Sequence, residues 1–260
     1  RSPRGYRQGK MLKTELHFHT SPVSVCSRLT AGDAAEKYSK CGFQALMLTN
    51  HYSRSNMEST GASEREWREN FVKAYYDMRE AAKNYGMRVF FGAEVTLFAP
   101  YSSYMREKYS AEYLAANYAD YIILGLTEKT FLETPLMCDL DLKELHSLCG
   151  DIGALVVQAH PFRTEQNHSL KDVAYLDGLE INGNVGFTTA NEEKVLDVAQ
   201  KNNLIVTCGG DTHYDWHVLR SATFIPDSVT DSVKLASYLK KVRVPEYSLS
   251  EPAPFAPPRC

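Results

Sequence analysis

Short apolar runs of strand length alternate with amphipathic helical stretches along nearly the whole chain, and this alternation restricts the fold more than any other feature. The run Ala45-Leu46-Met47-Leu48 is continuously apolar, the pattern of a parallel strand covered on both faces. Thr30 is placed to cap a helix whose Ala34, Ala35, Tyr38 and Cys41 form one stripe, with Gly42 as its stop. Trp67, Phe71, Ala74, Tyr75, Met78, Ala81 and Ala82 recur at spacings of three and four over residues 64–85, a second amphipathic helix. Further strand-like runs at 87–93, 118–126, 154–159, 176–181, 204–208 and 222–225 bring the total to seven or so units. The pattern predicts one α/β domain whose parallel strands close into a barrel. Residues 1–11 read as a flexible arm, 12–244 as the barrel and 245–260 as a proline-rich tail. A polar loop at 53–63 and a tyrosine-rich stretch at 95–117, read as a lid-like loop and a short helix, are the expected specificity elements.

Several function classes fall away on composition. A formal net charge of −3 offers no electrostatic footprint for nucleic acid, which leaves a nucleotide or short oligonucleotide as the only nucleic-acid substrate expected. No GxGxxG or other glycine-rich phosphate loop is present, which argues against a nucleotide-binding open sheet. The six cysteines are scattered without a CxxC pair, so they read as reduced thiols of a cytoplasmic protein. The polar, basic N-terminus predicts no signal peptide, and no apolar run reaches the roughly 18 residues that a membrane span needs.

The chemistry sits where the strands end. His17 and His19 are two residues apart on the first strand, so both point to one face. His51, Glu94, His160, Asp211 and His213 each follow within a few residues of the C-terminal end of another predicted strand. In a β/α barrel those ends converge on one mouth. Imidazoles mixed with carboxylates suit zinc, manganese or iron, and this many donors exceed the needs of one ion, so two or three divalent ions are expected. Ions about 3.5 to 4 Å apart would clamp an in-line displacement at phosphorus, with a metal-activated hydroxide as nucleophile. Arg163 at the mouth is a candidate phosphate ligand, and His168 and His217 in mouth loops are candidate acids for the leaving group. Glu180 and Asn182 are placed to orient ligands or satisfy loop backbone.

His17-Phe18-His19-Thr20, Thr49-Asn50-His51, Gly92-Ala93-Glu94, Ala159-His160-Pro161-Phe162-Arg163 and Gly210-Asp211-Thr212-His213 resemble, in order and spacing, the motifs of the polymerase and histidinol phosphatase (PHP) family. The resemblance covers roughly residues 12–226. It implies a distorted (β/α)7 barrel with a two- or three-metal site and hydrolysis of a small phosphate monoester or diester. It further implies one ion on His17, His19, Glu94 and Asp211, a second on Glu94 and His160, and a third on His51 and His213. Three departures stand out. Asn50 replaces an aspartate. The loop after the first motif offers Ser24 and Cys26 as the nearest replacements for a further ligand, with Cys26 either a thiolate ligand or an inert buried thiol. No histidine follows the fourth strand. The alternative to an enzyme is a metal-binding barrel whose activity is lost or regulatory.

Overall fold

The computed structural model describes residues 10–163, 169–184, 189–217 and 219–249. Among the described residues, eleven strands form two mixed sheets. In the first, β11 (Tyr247–Leu249), β10 (Ser221–Pro226), β1 (Met11–Phe18), β2 (Ala45–Leu48) and β4 (Arg88–Phe91) lie side by side. In the second the order is β3 (His51–Tyr52), β5 (Ala93–Leu97), β6 (Ala119–Leu124), β7 (Leu155–Gln158), β8 (Gly178–Asn182) and β9 (Ile205–Gly209). The chain crosses between sheets twice by short steps, from β2 to β3 through Thr49 and Asn50, and from β4 to β5 through Gly92.

This corrects the expected closed, all-parallel (β/α)7 barrel. No closed barrel forms among the described residues. β6 runs antiparallel to both of its neighbours, and β10 and β11 are antiparallel additions. The cause lies in the connections. β5 is followed by the short helices α4 (Ser103–Lys108) and α5 (Ala111–Asn117), where a lid-like loop and one helix were expected. This excursion returns the chain to β6 in the reverse direction. The polar 53–63 stretch also contains a helix, α2 (Arg54–Thr60), capped by the Ser53 hydroxyl and anchored by a buried Asn56.

Apolar residues from both sheets nevertheless share one interior. Leu16, Met47, Phe90, Ile122, Val157 and Ile205 belong to a single buried cluster. Leu235, Ala236 and Leu239 of α9 (Ser232–Val242) join it. The opposite strand faces carry the remaining helices, with Ala34, Ala35 and Tyr38 of α1 (Ala31–Lys40) and the aromatic stripe of α3 (Glu64–Lys83) in the larger cluster. Both helices begin with reciprocal capping boxes, Thr30 with Asp33 and Ser63 with Glu66. No helix among the described residues is long and apolar enough to cross a membrane.

The strand ends that matter are tied together directly. The pairing of β1 with β2 shifts register between Glu15 and Phe18, an irregularity that spans His17, and bulges re-aim side chains. Phe18 then bridges to Thr212, and the His19 amide donates to the Thr212 carbonyl at 2.9 Å, which joins the first sheet to the segment after β9. Gly209 allows this approach. A Cβ there would stand 2.6 Å from both Glu180 Oε1 and His17 Cβ. Gly209→Ala is therefore expected to destabilise the protein by about 1–3 kcal/mol through overpacking, read as a lower urea midpoint with an unchanged slope.

Candidate metal centre

His17, His19, His51, Glu94, His160, Asp211 and His213 all come to one end of the sheets. His17 Nε2 lies 3.2 Å from Glu94 Oε1, 3.1 Å from His19 Nε2 and 3.5 Å from Asp211 Oδ1. His19 Nε2 lies 3.2 Å from Asp211 Oδ1 and 3.4 Å from Glu94 Oε2. His51 Nδ1 is 2.7 Å from Glu94 Oε2, and His160 Nε2 is 3.2 Å from Glu94 Oε1. His51 and His213 face each other with Nε2 atoms 3.1 Å apart. The donors fall into three groups whose ligand atoms lie within 4.8 Å of one another: His17, His19, Glu94 and Asp211; His19, His51 and His213; and Glu94, Asp120 and His160.

Asp120 is the residue that the sequence reading missed. No histidine follows the fourth strand. Because β6 is antiparallel, its first residues rather than its last lie at the site end, and Asp120 is the second residue of that strand. Thr96, its register partner on β5, donates a 2.6 Å hydrogen bond to its Oδ1. The available signal was the acid in the otherwise apolar Ala119–Leu124 run.

A layer of polar partners aims the rings. His17 Nδ1 meets Glu180 Oε1 at 2.8 Å, which turns Nε2 to the centre, and the second Glu180 oxygen accepts from the His160 amide. Ser24 Oγ takes His19 Nδ1–H at 3.2 Å and the His51 amide at 2.9 Å, and donates to Asn50 Oδ1 at 3.0 Å. Asn50 also accepts from the Thr20 amide at 2.8 Å. An asparagine carbonyl thus fills the buried acceptor role at this position. Glu15 Oε1 accepts from the amides of His17 and Gly210, clasping the two segments that carry His17, His19, Asp211 and His213.

The residues present fit bound cations. Glu94 and Asp211 are buried, yet Glu94 Oε2 and Asp211 Oδ1 receive no hydrogen bond although imidazole nitrogens stand within 2.7 and 3.2 Å. Buried carboxylate oxygens without donors are costly unless a cation meets them. His160 and Asp211 both have positive φ, 28° and 50°, a backbone strain of the sort that collects at functional sites. Burial pushes the Glu94 carboxyl up, but His17 and His51 outweigh it and hold it well below the usual range. Burial likewise raises Asp211 until His17 and His213 pull it well down. Burial, with His51 and His213 alongside, keeps His19 well below the ordinary histidine value, so its lone pair is available. Burial and the Glu94 charge raise Asp120 to about 6.

His51, Glu94, Asp120, His160, Asp211 and His213 line a cavity of about 480 Å³, a volume suited to a small ligand. Arg163 lines it, with Nη1 3.2 Å from Asp211 Oδ2. His217 lines it too, and its Nδ1 accepts from the His213 amide at 3.2 Å. His168 lies outside the described residues. Cys26 is exposed rather than buried, at the cavity wall. Burial of its sulfur pushes the thiol up, but hydrogen bonds with His213 and His51 outweigh this and bring it to about 6.

With this geometry in view, the comparisons with known proteins are specific. The PHP domain model matches residues 15–163, more than half of the chain. The chain belongs to the PHP domain family. Its fold is similar to a two-domain protein from Bacteroides vulgatus containing a predicted PHP-like metal-dependent phosphoesterase, with a TM-score of 0.60, 16% identity, and coverage of 91% of this chain and 64% of that one. It is similar to PsfC from Pseudomonas syringae, with a TM-score of 0.60, 15% identity and 88% of each chain covered. A third relative is the lesion-specific endonuclease PfuEndoQ from Pyrococcus furiosus, with a TM-score of 0.57, 15% identity, and 92% of this chain and 58% of that one covered. The chain thus spans under two thirds of the first and third of these proteins. No curated protein sequence matches it.

Burial raises Glu15 from 4.5 to about 7 against the hydrogen bonds of the His17 and Gly210 amides. The fold keeps this proton up to about pH 7, whereas the unfolded chain releases it near 4.5. Stability tied to Glu15 in the metal-free protein is therefore complete below about 4.5 and lost as pH rises through about 7. Glu15→Gln cannot ionise and is expected to flatten that fall, measured as the urea midpoint of metal-free protein across this interval.

Proposed function

We propose that the protein is a metal-dependent phosphoesterase that hydrolyses a small phosphate ester in this cavity, using two or three divalent ions drawn from zinc, manganese and iron. The observation that carries the reading is the overlap of the three donor groups, through His19 and the Glu94 carboxylate, beneath a cavity lined by Arg163. These residues would hold ions whose chemistry is Lewis acidity toward phosphate oxygens and activation of water.

The chain's own groups do the rest. Glu94 presents one oxygen to His17 and His160 and the other to His19 and His51, so one carboxylate serves donors on both sides. Glu180 and Ser24 hold two rings in the tautomer that points Nε2 inward. Arg163 offers a guanidinium to phosphate oxygens while Asp211 steadies one nitrogen. His217, accepting at Nδ1, carries its hydrogen on Nε2 and can hydrogen-bond the leaving oxygen. Tyr101, Tyr118, Ser55 and Ser59, which line the cavity, receive the alcohol portion of the ester. The free cysteines among the described residues support a reducing, cytoplasmic setting. An endonuclease among the fold relatives keeps oligonucleotides within the substrate range to be tested.

Metal-stripped protein reloaded with manganese, zinc or iron is assayed on an aryl phosphate, an aryl phosphodiester, nucleotides and a single-stranded oligonucleotide. Turnover is expected only with added metal. His17→Ala and Asp211→Asn should each lower kcat/KM by about a hundredfold or more, and Glu180→Gln should weaken metal affinity by about 10- to 100-fold. Full metal occupancy without hydrolysis of any ester would instead support the non-catalytic alternative.

A further inference from the structure

We propose that Tyr214 and Trp216 form a stacking platform beside the cavity, selecting esters whose alcohol portion carries a planar aromatic ring. The inference rests on the phosphoesterase reading above and names the chemistry of that alcohol portion.

Exposed apolar surface gathers at this place. Single exposed apolar side chains are ordinary on a folded protein. The three most exposed large ones among the described residues are Tyr101, Trp216 and Val25, at 81, 66 and 52%. Tyr101 and Val25 line the cavity. Trp216 stacks on Tyr214, which also lines it, with centroids 4.4 Å apart and planes 11° from parallel. The indole thus carries an aromatic surface from the cavity lining out into solvent.

That surface adjoins the proposed chemistry. His217, which can hydrogen-bond the leaving oxygen, packs T-shaped against Tyr214 with centroids 5.0 Å apart and planes at 74°, and its ring centroid lies 6.5 Å from that of Trp216. A group attached to an oxygen at His217 therefore meets Tyr214 and then Trp216. The turn is held in place. The His217 amide donates to the Tyr214 carbonyl and the His213 amide to His217 Nδ1, each at 3.2 Å. Lys37 of α1 donates through Nζ to the Asp215 carbonyl, between the two aromatic residues. Rings fixed in advance bind a flat ligand with little further loss of side-chain freedom.

The surroundings favour a small planar occupant. Arg28, Lys37 and Lys40 line a second hollow with the indole, together with Asp33, Glu36 and Asp215. Three charges of each sign offer no attraction to an anionic membrane surface. One indole on one phenol is far smaller than the apolar core of a stable protein interface. A planar ring needs only that area, and it stacks on aromatic side chains whatever hydrogen-bonding edge it carries.

The test compares adenosine 5′-monophosphate with ribose 5-phosphate, which lacks the ring. Initial rates are read on metal-loaded full-length protein and tryptophan emission on metal-stripped protein. The chain has two tryptophans and Trp67 is 1% exposed, so quenching by the nucleotide reports Trp216. The nucleotide should be preferred in kcat/KM by about tenfold or more, and it alone should quench. Trp216→Ala should remove the preference and the quenching, and Trp216→Phe should restore the preference. Tyr85→Ala, at an exposed tyrosine beyond the end of α3, should change neither. Circular dichroism confirms that the variants fold. Equal kcat/KM on the two esters, or a preference that survives Trp216→Ala, overturns the platform and leaves the phosphoesterase reading standing. Quenching without hydrolysis of either ester or of the aryl esters above overturns that reading and leaves the platform as a ring-binding site. Absence of both quenching and hydrolysis overturns both. Dimerisation that is lost in Trp216→Ala assigns the indole to a second copy of the chain and overturns the platform.

Discussion

The structure turns on two carboxylates, Glu94 and Asp211, held at 1% and 3% exposure where apolar strands end. Each keeps an oxygen that no hydrogen bond reaches. Burying an ionised carboxylate is costly unless positive charge compensates it. Four imidazoles crowd within hydrogen-bonding distance of Glu94 alone, at separations of 2.7–3.4 Å. Imidazolium charge can offset some of this cost, but every proton placed there repels the next. A divalent ion settles the same charges from one point and leaves the rings neutral, as ligands must be. The positive φ values at His160 and Asp211 fit this view, because strained backbone persists where the surroundings over-determine it.

Behind the donors lies a layer that cannot move independently of them. Glu15 bonds the amides of His17 and Gly210 and takes the Tyr38 hydroxyl from α1, so a helix, a strand end and the segment after β9 share one buried carboxyl. Glu180 performs the corresponding task for His17 and His160. Ser24 and Asn50 do it for His19 and His51 with neutral groups. The centre is preorganised by atoms that would touch neither ion nor substrate.

Much of this was legible in the chain, for identifiable reasons. The His17/His19 pair and the donors after other strands announce themselves because strand ends are short, apolar and easily located. The capping boxes at Thr30 and Ser63 are local motifs, and local signals survive tertiary context. Strand direction does not. Nothing in residues 119–124 states that the strand runs backwards, because a buried strand reads the same in either sense. That reversal hid Asp120 and, together with the antiparallel β10 and β11, put two mixed sheets in place of the expected closed barrel. The helices in the 53–63 and 95–117 segments were obscured because they are six or seven residues long and begin on serine caps within polar sequence, which reads equally as loop. The place of Cys26 at the cavity wall depends on how the 20–28 loop folds over the site, which no spacing rule reveals.

The most direct measurement of the central claim is anomalous diffraction from crystals grown with saturating zinc or manganese, collected on either side of the metal edge. The account predicts one strong peak bounded by His17, His19, Glu94 and Asp211, with a further peak across Glu94 on the Asp120 and His160 side. Difference maps with no peak among these residues, or with metal held only at surface acids, would contradict it.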